Sequence, residues 1–350
     1  MTYPEAIVVG LIQGVTELFP VSSLGHNVLI PAVIGGSWAS DLNVSRPESP
    51  YLAFIVGLHV ATAAAMILYF WRDWVRIVGG FLSSLRDRRI ATADQRLAWM
   101  IILATIPVGI AGLALEHAFR VVFSKPVPTA IFLAVNGLIL LGSERRLRGR
   151  LDATQAPAAQ ALVTQPLAAS ATASASGSAP VSSPVPGQPG DARLDPPGAP
   201  PAAPRSGREA EIARAVAADG RLSSMGYRRA VLIGTAQIAA LLPGISRDGI
   251  VSVTGMFRGL SREDAVRYSF LLSAPVILAA GVLKIPDLTG PLGNGIRGQI
   301  LVGSLLSFAG AYLSVRFLTK YFAKQRSMAP FGWYCLAAGI FSLIFYLVAR

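Results

Sequence analysis

The sequence predicts an all-α polytopic membrane protein, an inverted-topology repeat in which each half is a re-entrant helical hairpin followed by three transmembrane helices. Three observations carry this. The chain is 53% hydrophobic and only 14% charged, whereas a soluble domain carries about 25% charged residues. Its apolar residues lie in blocks that match the roughly 20 residues a helix needs to cross a bilayer. Two further apolar segments are broken in the middle by Pro-containing polar turns, and each precedes three uninterrupted blocks.

Residues 1–150 make the first repeat. Its hairpin covers 4–36, with the turn Phe19-Pro20-Val21-Ser22-Ser23 at its centre. Each arm has about 15 residues and rises about 22 Å as a helix. A hydrocarbon core of about 30 Å is too thick for that, so the segment reads as two half-helices. Spans follow at 51–71, 97–115 and 127–142, the last of them short. Residues 151–223 are rich in Ala, Pro, Ser and Gly and poor in aromatics. Such a stretch cannot bury enough apolar area to order itself. It is predicted to be a disordered cytoplasmic linker, with 208–218 its one candidate helix. Residues 224–350 make the second repeat: a hairpin over 226–258, broken at Leu242-Pro243-Gly244-Ile245-Ser246-Arg247, then spans at 267–285, 299–318 and 329–349. Because the number of spans in the first half is odd, the second half enters the membrane upside down. Inverted repeats of this kind bring broken helices together near the midplane.

The charges set the orientation. The net charge is +12, and its sources cluster between apolar blocks: Arg72, Arg76, Arg86, Arg88, Arg89 and Arg96 in 72–96, then Arg145, Arg146, Arg148 and Arg150, then Lys320, Lys324 and Arg326. The alternate loops are poorer, with Arg46, Arg120, Lys125 and Arg297. Basic loops stay cytoplasmic, which puts both termini outside, the first hairpin opening outward and the second inward. No basic stripe with interleaved aromatics is present, which excludes nucleic acid as a partner. Cys335 is the only cysteine, so neither an intrachain disulfide nor a multi-thiolate metal site can form. The N-terminus lacks the basic region and small-residue cleavage site of a signal peptide.

The chemistry sits in the two turns. The first hairpin carries Gln13 and Glu17 four residues apart, hence on one helix face. Ser22, Ser23 and His26 follow across the turn. If the second half-helix begins near Ser22, that serine caps it, and Ser23 and His26 share a face. In the second hairpin a half-helix starts near Ser246, presenting free N–H groups and the positive end of its dipole: an anion site. Arg247 adds a planar, permanently charged fork suited to phosphate oxygens. Blander roles stand beside these. Ser22 and Ser246 read equally as caps, and Arg247 can simply pair with Asp248. His59 and Asn136 read as polar packing groups between helices. Glu17 is the strongest single candidate, since ionisable groups inside membrane segments face cavities and carry function.

At these residues the chain resembles the undecaprenyl-diphosphate phosphatase family associated with bacitracin resistance. Gln13 to His26 match its Glu/Gln-rich motif followed by Pro-Val-Ser-Ser-x-Gly-His. Pro243 to Gly249 match its Pro-Gly-x-Ser-Arg-Ser-Gly, with Asp248 in place of the second serine. Tyr69 to Asp73, Ala104 to Pro107, Gly259 to Glu263 and Phe270 to Leu272 are also similar, so the resemblance covers all but 151–223. It departs at Gln13, where many members have glutamate, and at Val251, where many have threonine; Ser252 or Thr254 stands nearby. The resemblance implies a multi-pass protein of the bacterial cytoplasmic membrane that converts undecaprenyl diphosphate to undecaprenyl phosphate at the outer leaflet. That reaction recycles the carrier for peptidoglycan synthesis and confers bacitracin resistance. The implied partners are the polyprenyl diphosphate and membrane lipids; a homodimer is left open. The implied cofactor is Mg²⁺ or Ca²⁺, an oxygen-ligated cation held by Glu17 and Gln13 and in part by substrate. Glu17, Ser23 and His26 would be catalytic, with Ser246, Arg247, Ser22 and Gly249 on the phosphates.

Two other functions compete. Inverted repeats with broken helices are also transporter architecture, so the chain can be read as a flippase for the same lipid. A membrane phosphatase of the acid-phosphatase type needs a histidine beyond its Ser-Arg motif, and none follows His117.

Overall fold

The computed structural model describes residues 1–43, 50–118, 125–163, 207–283, 290 and 293–348. The described residues form helices and turns. The first hairpin is α1 (Tyr3–Thr16) and α2 (Ser23–Ile34), followed by the short α3 (Gly36–Asp41). Thr2 and Glu5 form a reciprocal capping box that starts α1, satisfying two of the orphan donors at its end. Next come α4 (Pro50–Tyr69), α5 (Trp71–Asp87), α6 (Ala93–Ala118) and α7 (Pro126–Val163). After α8 (Gly207–Ser223), the second hairpin is α9 (Tyr227–Thr235), a 3₁₀ turn over Ala236–Leu241 and α10 (Arg247–Phe257). The last helices are α11 (Arg262–Leu283), α12 (Arg297–Ala323) and α13 (Ala329–Val348).

Five of these helices are long and apolar enough to cross a membrane: α6, the first part of α7, α11, α12 and α13. They fall on five of the six expected spans. The sixth, α4, is apolar but bends by 86° into α5. The described residues are thus all-helical and the chain is membrane-integral, with both expected hairpins broken where their prolines stand.

Two segments, and one residue within the first of them, differ from the sequence reading. The basic stretch 72–96 is largely helical. α5 buries Asp73, Ile77, Gly80 and Ser84 and exposes Trp71, Val75, Val78, Leu82 and Leu85. Apolar residues at that 4-3-4-3 spacing form one stripe of a helix, and the arginines between them hid it. Arg76 is not simply a solvated charge: it bonds Asp73 at 2.5 Å and Asp219 at 2.6 Å. The third difference concerns the linker. α7 continues to Val163 and helix resumes at Gly207, so both ends of the stretch 151–223 are helical. Its remainder, 164–206, lies outside the described residues. The end of α8 packs firmly. Asp219 is 2% exposed and accepts from Arg267 at 2.8 and 3.0 Å, and Leu222 joins an apolar cluster with Leu97, Tyr268 and Leu271.

Close helix approach is bought by small residues. A Cβ on Gly10 would lie 2.6 Å from the Gly303 carbonyl oxygen, and one on Gly234 would lie 2.4 Å from that of Ala104. The first arm of each hairpin therefore packs on a span of the opposite half, α1 on α12 and α9 on α6.

Candidate active site

The two hairpin turns meet. Gly244, at φ +110°, carries its N–H to Ser22 Oγ at 3.2 Å. A Cβ there would also collide with the Thr129 carbonyl at 2.6 Å, so glycine is required on both counts. Asn136 of α7 bridges the same two turns. Its Nδ2 donates to the Pro20 carbonyl at 3.0 Å, and its Oδ1 accepts from the Ser246 N–H at 3.1 Å. Gly249 completes the contact, since a Cβ on it would sit 3.3 Å from Pro20 Cβ.

Glu17 stands at this junction with its side chain 6% exposed. Its Oε2 accepts from the Ser23 hydroxyl in a short hydrogen bond and from Gln13 Nε2 at 2.8 Å. His59 Nε2 lies 3.5 Å from the same oxygen. Arg247 Nη1 lies 3.9 Å from Oε1, and that buried nitrogen makes no hydrogen bond among the described residues. A buried guanidinium N–H beyond bonding distance of its nearest carboxylate is a donor without an acceptor. It suits an incoming oxyanion.

The structure therefore brings Gln13, Glu17, Ser23 and Arg247 together. The other sequence candidates are placed differently. Ser22 caps α2, accepting from the Gly25 N–H at 3.3 Å as well as from Gly244. Ser246 caps α10, accepting from the Gly249 N–H at 3.2 Å; both cap readings hold, and that N–H is engaged. His26 turns away from Glu17. Its Nδ1 lies 2.7 Å from the Ser22 carbonyl and its Nε2 2.7 Å from the Tyr334 hydroxyl. A carbonyl only accepts, so Nδ1 carries the proton and Nε2 accepts from Tyr334. Asp248 does not pair with Arg247; it accepts from Ser269 at 2.5 Å and Ser273 at 2.7 Å. Val251 packs in the apolar cluster with Tyr268 and Leu271, and Ser252 is buried.

His59, which the sequence presents as a polar packing group, stands beside Glu17. The signal was there: a titratable side chain in the middle of an apolar block. Its Nδ1 lies 2.8 Å from the Ile55 carbonyl, which leaves Nε2 facing Glu17. Asn136 was likewise taken for packing, although it joins both turns.

For a divalent cation the donor set is hard oxygen, but thin. Glu17 offers one carboxylate, and among the described residues no three His, Cys, Asp or Glu side chains cluster. Gln13 points its N–H, not its oxygen, at Glu17. Glu17 can hold such a cation only together with oxygens that a substrate brings.

Helices broken at facing turns, with a carboxylate, a hydroxyl and a guanidinium between them, make this a membrane-integral helical protein with a buried polar site. The chain belongs to the bacitracin resistance protein BacA family, whose model matches residues 6–185 and 208–341. A relative from Mycolicibacterium paratuberculosis, named undecaprenyl-diphosphatase, is 55% identical over 98% of this chain and 97% of its own length. One of the same name from Mycobacterium avium is 54% identical over the same shares. Undecaprenyl-diphosphatase 2 of Frankia alni is 49% identical over the full chain and 99% of its own length.

Proposed function

We propose that this chain is an undecaprenyl-diphosphatase, hydrolysing undecaprenyl diphosphate to undecaprenyl phosphate and inorganic phosphate. The family membership and the nearly full-length relatives of that name support the activity. The observation that carries the chemistry is the Ser23 hydroxyl donating to Glu17 beside Arg247 Nη1, which lies 3.9 Å from Glu17 and makes no hydrogen bond among the described residues.

The reading of the steps follows from that geometry. Arg247 and the N-terminus of α10 receive the diphosphate. Glu17 takes the Ser23 proton as Ser23 Oγ attacks the terminal phosphorus. The anhydride P–O bond breaks, undecaprenyl phosphate leaves with the bond's electron pair, and Ser23 carries the phosphoryl group. Glu17 passes its proton to the departing phosphate; water then attacks the phosphoseryl phosphorus and gives a proton to Glu17, the P–Oγ bond breaks to release inorganic phosphate, and Glu17 returns that proton to Ser23 Oγ. Such a transfer needs positioning and charge stabilisation more than strong bases. Glu17 would hold a divalent cation, Mg²⁺ or Ca²⁺, which would supply further neutralisation of the diphosphate charge. His26, already bonded to Tyr334, holds the turn, and His59 Nε2 stands 3.5 Å from the reacting carboxylate.

The wider architecture belongs to the same proposal. Each hairpin packs on a span of the other half through α1 on α12 and α9 on α6, the exchange expected of an inverted repeat with re-entrant hairpins. Together with the basic loops on one side, this supports a topology in which the first hairpin and its serine open to the outer leaflet of the bacterial membrane.

The test is phosphate release from undecaprenyl diphosphate by protein purified in detergent, with and without EDTA. Hydrolysis needs no second compartment, so release supports the enzyme; no release from well-folded protein would overturn it. Brief turnover with label in the terminal phosphate, quenched in acid, should leave phosphate on the peptide holding Ser23. A Ser23→Ala protein that kept more than about a tenth of the rate would exclude Ser23 as nucleophile, because losing a covalent nucleophile costs orders of magnitude.

A further inference from the structure

We propose that Asn27 is a positioning residue of this site, acting through Gln13 to hold the Glu17 carboxylate in its reactive orientation. The inference rests on the proposed hydrolase reading and deepens it.

Three side chains form a directed chain. Asn27 Nδ2 donates to Gln13 Oε1 at 2.6 Å, and Gln13 Nε2 donates to Glu17 Oε2 at 2.8 Å. The direction follows from chemistry. An ionised carboxylate only accepts, so Gln13 must give it the NH₂ end, and its carbonyl end must then face a donor. Asn27 is that donor. The Gln13 and Asn27 side chains are buried, at 0% and 1% exposure, so water does not offer a ready substitute on either side. The Asn27 backbone is itself fixed, since its carbonyl accepts from the Tyr51 hydroxyl of α4 at 3.3 Å.

One further observation marks the constraint. Asn27 Oδ1 is buried and has no hydrogen-bond partner. A buried amide oxygen left unsatisfied is unfavourable. That cost is met here in the orientation that keeps the Asn27 NH₂ on Gln13. Without that donor, Gln13 Oε1 is left buried and unpaired, and the Gln13 amide loses the anchor that keeps its NH₂ on Glu17 Oε2. Ser23 donates to that same oxygen, so the disturbance falls on the Ser23–Glu17 pair. Arg247 faces the other carboxylate oxygen, Oε1, at 3.9 Å and bonds neither Gln13 nor Asn27, so it keeps its hold on the diphosphate.

The experiment compares kcat, KM and thermal midpoint for wild type, Asn27→Leu, Asn27→Asp, Gln13→Leu and the Gln13→Leu/Asn27→Leu double variant on undecaprenyl diphosphate in detergent. Asn27→Leu should lower kcat about tenfold or more, since small misplacement of a reacting group is costly, with KM within about threefold of wild type. Asn27→Asp, nearly isosteric but with the donor replaced by an acceptor, should fall further. In the Gln13→Leu background, Asn27→Leu should add nothing, because its route to Glu17 is gone. A packing role predicts otherwise: Asp tolerated better than Leu, and effects that multiply in the double variant. Either result would overturn the proposal, as would an Asn27→Leu kcat within about twofold of wild type. Should Asn27→Leu fail to insert, Asn27→Ser replaces it: a retained hydroxyl donor should outperform Asn27→Asp, and equal rates would sink the idea. Wild-type protein that releases no phosphate would fail the functional reading instead, whatever the variants do.

Discussion

Asn136 should be worth more to this protein than its packing. Its amide satisfies the Pro20 carbonyl of one hairpin turn and the Ser246 N–H of the other, and Ser246 is only 2% exposed. Asn136→Leu keeps the volume and removes both bonds. A buried polar group stripped of its partner costs about 1–3 kcal/mol; the Ser246 N–H is stripped outright, while the Pro20 carbonyl keeps a weak donor in the Cys335 thiol at 3.7 Å. Part of this returns through the added apolar burial. The other direct tie between the turns is Ser22 Oγ with the Gly244 N–H, too little to hold them unaided. We expect a lowered thermal midpoint in detergent and loss of most phosphate release, because Arg247 follows Ser246 and moves with it. Asn136→Asp should be worse, since it keeps an acceptor for Ser246 but sets a second oxygen against the Pro20 carbonyl. A cycle with Ser22→Ala should show coupling of about 0.5–3 kcal/mol, the range for residues sharing a network. Wild-type midpoint and rate in Asn136→Leu would refute the reasoning and mean that the helices alone fix the turns.

Further outcomes follow from the same geometry. Arg247→Lys should be severely impaired in phosphate release, not only Arg247→Ala, because lysine keeps the charge but loses the planar fork; near-normal activity would reduce the clamp to a point charge. Asp219→Ala should destabilise by about 3–5 kcal/mol, the cost of breaking a buried pair, since it strips Arg267 and Arg76 of a shared partner; an unchanged midpoint would show that Asp73 suffices for both. Replacing 164–206 by a short Gly/Ser linker should leave activity nearly intact, because loop length costs little; loss of activity in a well-inserted protein would assign that stretch a role. A reporter fused near residue 185 should register as cytoplasmic, and a periplasmic signal would invert the proposed topology.

What the sequence disclosed depended on the range of the interaction. Spans and breaks were legible because they are local: an apolar block of bilayer length, or a proline and glycine inside one, is visible without any knowledge of neighbours. The pairing of Gln13 with Glu17 was legible for the same reason, being one helical turn apart. The caps at Ser22 and Ser246 were legible as one of two readings, since a serine before a half-helix serves a cap or a ligand equally until the N–H it accepts from is seen. The stripe Trp71, Val75, Val78, Leu82, Leu85 was present in the sequence, but arginines around it made composition argue for a loop where periodicity argued for a helix.

The remainder was set by how helices rotate against one another. His26 and His59 were both visible as histidines near apolar segments, and proximity in sequence favoured His26, three residues from Ser23. The rotation of α2 decided otherwise. It sends the imidazole of His26 to Tyr334, 308 residues away, while α4 turns His59 toward Glu17. Spacing along one helix tells which side chains share a face; it does not tell which face meets the partner. Asn136 makes the point from the other side. Nothing near it in sequence is polar enough to suggest a function, and its importance lies in two backbone groups 116 and 110 residues distant. Those groups exist as partners only because Pro20 and Gly244 break their helices. The same prolines and glycines that announce the site in the sequence therefore also create the unsatisfied N–H and C=O groups that the residues around them must answer.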